Sequence, residues 1–206
     1  MEKQERKERE FKARRAEILS QAERAFSAKG FHNVTMAEIA NSSGFSTGSL
    51  YQFFPGKEQL YTAMISEKLD LMFGMIREEV TTAHDITEKI AKLIEAHFQF
   101  VENNADFCRL ILRGENMPIS DIMTSLRQKM IEDYFKHLTF IENLMKSGIR
   151  KDILRSTCTH DMAAALFGLI RSTSIDWIFL PANKPLSSKK DFILEIFLQG
   201  VQKNEH

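Results

Sequence analysis

Apolar residues recur at intervals of three and four along almost the whole chain, and nowhere does the two-residue alternation of a half-buried strand persist. Only four prolines and nine glycines interrupt 206 residues, so little breaks that rhythm. The chain is therefore expected to be all-α. Its 43% apolar and 27% charged residues supply both a core and a solvated surface.

Local signals divide the helices. Ile18, Ala22, Ala25 and Phe26 form a stripe that predicts a helix over roughly 10–29, stopped by Gly30. Thr35 followed by Glu38 is a capping box, in which the hydroxyl accepts from a first-turn amide while the carboxylate reaches back, so a helix starts at Met36. It cannot pass Gly44, and Ser46 can cap a second short helix through Tyr51 to Phe53. Pro55-Gly56 then breaks the chain, which places a boundary between a domain of residues 1–56 and one of residues 57–206. A long helix over 57–82, with Leu60, Met64, Leu71 and Met75 toward one side, links the two.

Beyond it, Asp85 with Glu88 offers another cap. Pro118 opens a stretch periodic from Ile119 to Met145, stopped at Gly148. Residues 159–180 are apolar nearly all round, so they need cover on two sides. Phe192, Ile193, Ile196, Phe197 and Val201 form a last stripe, and the whole reads as an antiparallel bundle.

Two helices as short as those around Gly44 bury little and are unstable alone. Leaning on a longer preceding helix, they make a helix-turn-helix. Ala37, Ile39, Ala40, Phe45 and Leu50 can pack inward on Ala22 and Phe26, which leaves Thr47, Gly48, Ser49, Tyr51 and Gln52 outward. Hydroxyls, an amide, a phenol and bare backbone suit base edges and phosphates. Small polar groups on an exposed helix also occur without any partner, so a helical interaction module remains an alternative to a DNA reader.

Composition excludes more than it selects. Twenty-eight basic residues balance 28 acidic ones, although the first fifteen residues carry seven cations against four glutamates. That arm reads either as a solvated helix end or as an extension that touches phosphates or the minor groove. No apolar run approaches the roughly 18 residues of a membrane span, and the N-terminus has no signal-peptide core, so a cytoplasmic protein without membrane contact is expected. Cys108 and Cys158 lack metal or redox spacing. His97, His137 and His160 are scattered, Asp133 with His137 at i,i+4 reads as a surface pair, and neither H-E-x-x-H nor G-x-S-x-G occurs, so no enzyme, metal or cofactor is expected.

Residues 18–60 resemble the DNA-binding domain of the tetracycline-repressor (TetR) family of bacterial regulators. The resemblance rests on A-x-x-x-F-x-x-x-G-[FY] ending at Phe31, T-x-x-x-I-A at Thr35 to Ala40, G-[FV]-S-x-G-x-L-Y at Gly44 to Tyr51, and F-x-x-K-E-x-L at Phe54 to Leu60. It implies DNA contacts at Thr35, Ser46, Thr47, Gly48, Ser49, Tyr51, Gln52, Phe53 and Lys57. Thr47, Ser49 and Gln52 would read bases, Tyr51 would meet a phosphate or a thymine methyl, and Thr35 and Lys57 would clamp phosphates. Family members often carry His or Tyr at the position of Phe53, which here reads as hydrophobic contact or core.

The resemblance further implies a three-helix DNA-binding domain, a C-terminal bundle forming a two-fold dimer through 159–180 and 189–204, a palindromic operator on double-stranded DNA, and a small-molecule pocket. Phe98, Phe107, Met117, Met123, Met130, Phe135 and Phe167 are either ordinary core or the wall of a pocket for an apolar effector. Arg171, alone in an apolar helix, would meet a ligand carboxylate or an ion-pair partner across the dimer. Repression relieved by the effector is the expected mode, with activation or ligand-independent regulation as alternatives.

Overall fold

The structure, a computed structural model, describes residues 2–113, 120–180 and 184–202. Among the described residues it is helical, with one isolated antiparallel bridge between Leu154 and Gln202 in place of any strand. The helices are α1 (Glu2–Lys29), α2 (Met36–Ser42), α3 (Thr47–Phe53), α4 (Lys57–Thr81), α5 (Ile86–Asn103), α6 (Ala105–Arg113), α7 (Asp121–Arg150), α8 (Thr159–Phe179) and α9 (Lys190–Val201), the last preceded by a 3₁₀ turn at Leu186–Lys189.

The caps act where local chemistry put them. Thr35 Oγ1 accepts from the Glu38 amide at 3.2 Å and Glu38 accepts from the Thr35 amide at 3.5 Å, the reciprocal pair of a capping box. Ser46 caps α3 by accepting from the Ser49 amide at 3.1 Å, and Asp85 caps α5 through the Glu88 amide at 2.8 Å. Gly30 and Gly44 sit at φ 78° and 73°, the left-handed region that lets α1 and α2 stop where they do.

The chain forms two compact units, Met1–Leu69 with Asp106–Lys129, and Asp70–Ala105 with Met130–His206. In the first, Ile18, Ala22, Phe26, Ile39, Leu50 and Leu60 are fully or almost fully buried. Tyr61 packs edge-on against Phe26 and Phe31, both with ring centroids 5.0 Å away. Lys68 to Glu23 at 3.0 Å and Arg15 to Glu67 at 2.5 Å tie α1 to the first half of α4. In the second, α5, α8 and α9 bury Ile90, Leu93, Ile94, Phe98, Leu166, Phe197 and their neighbours. Glu102 accepts from the Ser187 amide at 2.9 Å, which fixes the 3₁₀ turn, and the indole N–H of Trp177 donates to the Lys184 carbonyl at 3.0 Å.

Several expectations need correcting. Helix α1 begins at Glu2, well before the predicted residue 10, because the arm lacks an apolar stripe yet carries i,i+4 ion pairs such as Lys12 to Glu8 at 2.8 Å. Ala37 is exposed and Met36 takes its inward place. Leu71 is 63% exposed, since the 3.6-residue period carries the buried face of α4 to Ile76 and Val80 instead.

Asn104 ends α5, and α6 follows as a separate helix that periodicity did not resolve. Gly148 lies inside α7 and does not stop it. An added Cβ there would come within 2.5 Å of Leu154 Cδ1, so the glycine admits a packed neighbour. Helix α4 contributes to both units: its first half packs with α1 and its second half joins the other unit.

Helix α8 overturns the estimate that no segment could span a bilayer. At 21 residues and a mean hydropathy of 1.2 it has the length and composition to cross one. Its face of Met162, Ala163, Leu166, Phe167 and Ile170 is nevertheless buried against the other helices, as in the core helix of a globular fold. Among the described residues only that face is covered: Ala165 and Gly168 stay exposed, as do Phe179 and Leu180 at 51% and 62%.

Candidate nucleic-acid interface

Helix α3 is held by one buried anchor. Leu50 is fully buried, while Thr47, Gly48, Tyr51 and Gln52 on the other side are exposed. Ser46 is also exposed and its Oγ lies 2.8 Å from that of half-buried Ser49, so these hydroxyls are pre-aligned at the N-terminus of the helix. Thr35 is exposed at the start of α2, its oxygen engaged in the cap and its hydroxyl proton left to donate outward.

An added Cβ at Gly48 would meet nothing nearer than Ser46 Oγ at 4.0 Å. No packing inside the protein calls for glycine there.

Phe53 is half-buried. Its ring stacks on Phe11 of α1 at 4.7 Å between centroids with 21° between planes, and lies 6.1 Å from Phe45. The sequence left Phe53 between contact and core. The structure makes it the seat of the N-terminal extension.

Lys57 is engaged within the chain. Its ammonium donates to the carbonyls of Phe31 and Val34 at 2.9 Å each and of His32 at 3.4 Å, and sits 4.5 Å above the Phe31 ring. These contacts tie down the loop between α1 and α2. Glu38 is engaged likewise: the Lys29 ammonium and the Thr35 amide together hold its carboxyl below the ordinary range.

The residues considered for a pocket are divided between the two units. Phe107 and Met123 are buried in the first unit, with the Lys68 ammonium 5.8 Å from the Phe107 ring. Phe98 and Phe167 are buried in the second, and Met130 is half-buried there. Phe135 is 55% exposed, and Met117 lies outside the described residues. Arg171 is exposed with its guanidinium 5.7 Å over Tyr134 and 6.0 Å over Phe167.

What sequence reasoning missed is a histidine pair. His97 and His137 are 5% and 0% exposed, which overturns the surface reading of His137 with Asp133, itself 8% exposed. His97 Nδ1 lies 2.6 Å from the Leu93 carbonyl and therefore carries a proton to donate. His137 Nε2 then donates to His97 Nε2 at 3.0 Å, and His137 Nδ1 is left as a buried acceptor without a partner among the described residues. Burial depresses both rings, His97 to about 4 and His137 to about 2, with the neighbouring ring and Arg77 adding to the effect at His137. Phe73 stacks on His137 at 4.6 Å and Phe167 meets it at 5.1 Å. No sequence signal joins residues forty apart, although a histidine in the apolar run of α5 was a hint.

Neither thiol suggests chemistry. Burial pushes Cys108 up to about 11, which keeps it protonated, and Cys158 stands exposed before α8.

Comparison with known proteins agrees with the interface. Residues 18–64 match the family described as bacterial regulatory proteins, tetR family, and residues 65–200 match the YsiA-like protein C-terminal region. The fatty acid metabolism regulator protein of Bacillus subtilis is 24% identical over 189 residues, covering 90% of this chain and 94% of that protein. The HTH-type transcriptional repressor KstR2 of Mycolicibacterium smegmatis is 35% identical over 91 residues, 44% of each. The crystal structure of FadR from Bacillus subtilis in complex with stearoyl-CoA shares the fold, with a TM-score of 0.76 at 23% identity over 90% of this chain and 98% of that one. With both its parts matched, and with α3 presenting its polar face to solvent, the chain belongs to the tetR family of bacterial regulatory proteins and is a DNA-binding transcriptional regulator, not an enzyme.

Proposed function

We propose that the protein is a cytoplasmic, dimeric repressor that holds a palindromic operator with one α3 from each copy and lets go when an apolar effector enters its second unit. The observation that carries the reading is the face of α3, where Thr47, Gly48, Tyr51 and Gln52 are exposed above a single buried anchor. Thr47, Ser49 and Gln52 read base edges in the major groove. Tyr51 and the Thr35 hydroxyl meet the flanking backbone, and Gly48 lets that backbone approach. Lys57 acts one step back, by fixing the loop that seats α2.

Dimerisation is supported by the uncovered side of α8 together with Phe192 and Ile196 of α9, which are 59% and 43% exposed. A second copy of the same face is the natural cover, and its two-fold axis sets two half-sites in inverted repeat.

The effector site is best supported around His137. An acceptor buried without a donor, ringed by Phe73, Phe140 and Phe167, suits a largely apolar molecule that brings one N–H or O–H. A long-chain acyl thioester is the first class to try, because the regulator of like fold from Bacillus subtilis was solved with stearoyl-CoA. Helix α4 is the coupling element: it supplies Lys57 to the first unit and Phe73 to the histidine cluster of the second.

Selection of bound DNA from a random pool tests the reading. A palindromic consensus is expected, with affinity for it weakened roughly 5- to 150-fold by a saturating effector, the range typical of allosteric coupling. Equal affinity with and without stearoyl-CoA and related acyl thioesters would remove the proposed switch, and failure to enrich any sequence would remove the operator.

A further inference from the structure

Helix α1 does not stop where the DNA-binding core ends. It runs back to Glu2, and Phe11 stacks on Phe53 at the end of α3. Lys7, Phe11 and Arg14 stand at i, i+4 and i+7, one stripe on one helix face. With Glu10 they line an open groove of about 280 Å³ whose other wall is Phe45, Ser49, Gln52 and Phe53. Two residues expected to read bases thus share a groove with two cations of the arm.

Several other charges along the arm are already engaged. Arg6 pairs with Glu10 at 2.9 Å, Lys12 with Glu8 at 2.8 Å and Arg15 with Glu67 at 2.5 Å, while Arg9 donates to the Glu5 carbonyl at 3.4 Å. Lys7 and Arg14 are exposed and have no ion-pair partner among the described residues. Glu10, the one carboxylate in the groove, is neutralised by Arg6. What faces outward beside α3 is therefore net positive, and it is held in place by the Phe11–Phe53 stack.

We propose that Lys7 and Arg14 form a second, sequence-independent contact to the DNA backbone, gripping phosphates along the edge of the major groove that α3 enters. Seven residues of helix separate the two side chains by ~10 Å along the axis, enough to reach two phosphates. The stripe adds affinity and salt dependence without reading sequence. It rests on the DNA-binding reading above.

The test is a salt titration of the full-length protein on its selected operator, read by fluorescence anisotropy. Each phosphate contact contributes about 0.9 to the slope of log affinity against log salt, so the double variant Lys7→Ala/Arg14→Ala is expected to reduce that slope by roughly 1–2 per protomer with the consensus unchanged. A control that removes equal charge from the second unit, Arg150→Ala/Lys151→Ala, is expected to keep the parental slope. Phe11→Ala, which changes no charge, is expected to lower the slope as well, because the arm loses its seat; far-UV circular dichroism checks that both arm variants stay folded.

A parental slope in the Lys7/Arg14 variant overturns the proposal, as does an equal fall in the control. So does a changed preference at base pairs flanking the site, which would make the arm a base reader. Failure of the parent itself to bind any sequence defeats the operator reading and this inference together.

Discussion

His137 donates to His97 across 3.0 Å, ring nitrogen to ring nitrogen, in the interior of the second unit. The bond requires His97 Nε2 to be unprotonated, and burial keeps both rings neutral by holding His97 at about 4 and His137 at about 2. In the unfolded chain both would titrate near 6.5. Between those values the unfolded state binds more protons than the folded one, so stability is full above pH 6.5 and falls as pH drops toward 4. The limiting slope is about 1.4 kcal/mol per pH unit for each ring. Thermal melts from pH 7.5 to 4.5 should show this loss, and His97→Leu/His137→Leu should flatten the acid limb; an equally steep fall in the variant would assign acid sensitivity elsewhere.

Gly48→Ala should act in opposite directions on folding and on binding. Nothing in the protein crowds the new methyl group, whose nearest neighbour is Ser46 Oγ at 4.0 Å, so the variant should gain about 0.5–1 kcal/mol of stability from helix propensity. Operator affinity should fall, because the methyl group stands between α3 and the DNA. Denaturant melts and operator titrations on the same preparation check both signs, and undiminished affinity would show that the backbone makes no close approach there.

Lys57→Ala separates fastening from clamping. Loss of an ammonium that caps three carbonyls should cost the first unit about 1.5–3 kcal/mol, the range for bonds to a charged group. Binding to all sequences should weaken, yet the salt slope should stay near the parental one. A slope lower by about 1 with stability unchanged would return Lys57 to the phosphate backbone.

Thr47→Ala and Gln52→Ala should alter preference at particular operator positions, at about 1–3 kcal/mol for a bidentate base contact. Selection from a random pool with each variant provides the measurement. Position profiles identical to the parent's would exclude these side chains from base reading.

Gly148→Ala should destabilise the second unit by about 1–3 kcal/mol, the usual cost of forcing a methyl group into a packed core. Leu154, whose Cδ1 lies 2.5 Å from the added Cβ, is 1% exposed and has little room to yield. A melting temperature equal to the parent's would mean that the Leu154 side chain repacks freely.

The DNA-reading half was legible because its determinants are local. Thr35 with Glu38, Ser46 with Ser49 and the left-handed turns at Gly30 and Gly44 lie within a few residues of the helices they start or stop. The reach of α1 was not legible, since residues before 10 carry no apolar stripe and the Phe11–Phe53 stack joins positions forty-two apart. The duty of Lys57 was hidden likewise, because its carbonyl partners lie 23 to 26 residues upstream. Pocket assignment suffered most: aromatic and methionine stripes mark burial without saying which core they enter, so Phe107 and Phe167 looked alike and belong to different units.

The indole of Trp177, bonded to the Lys184 carbonyl, is the only one in the chain, and it lies in the second unit. Its emission is therefore a built-in optical reporter for that half alone, silent about the helix-turn-helix. Melting followed at the tryptophan band and by helix ellipticity would coincide for an all-or-none molecule and part for one whose halves unfold separately. The same band gives effector screens a label-free signal before any operator is known.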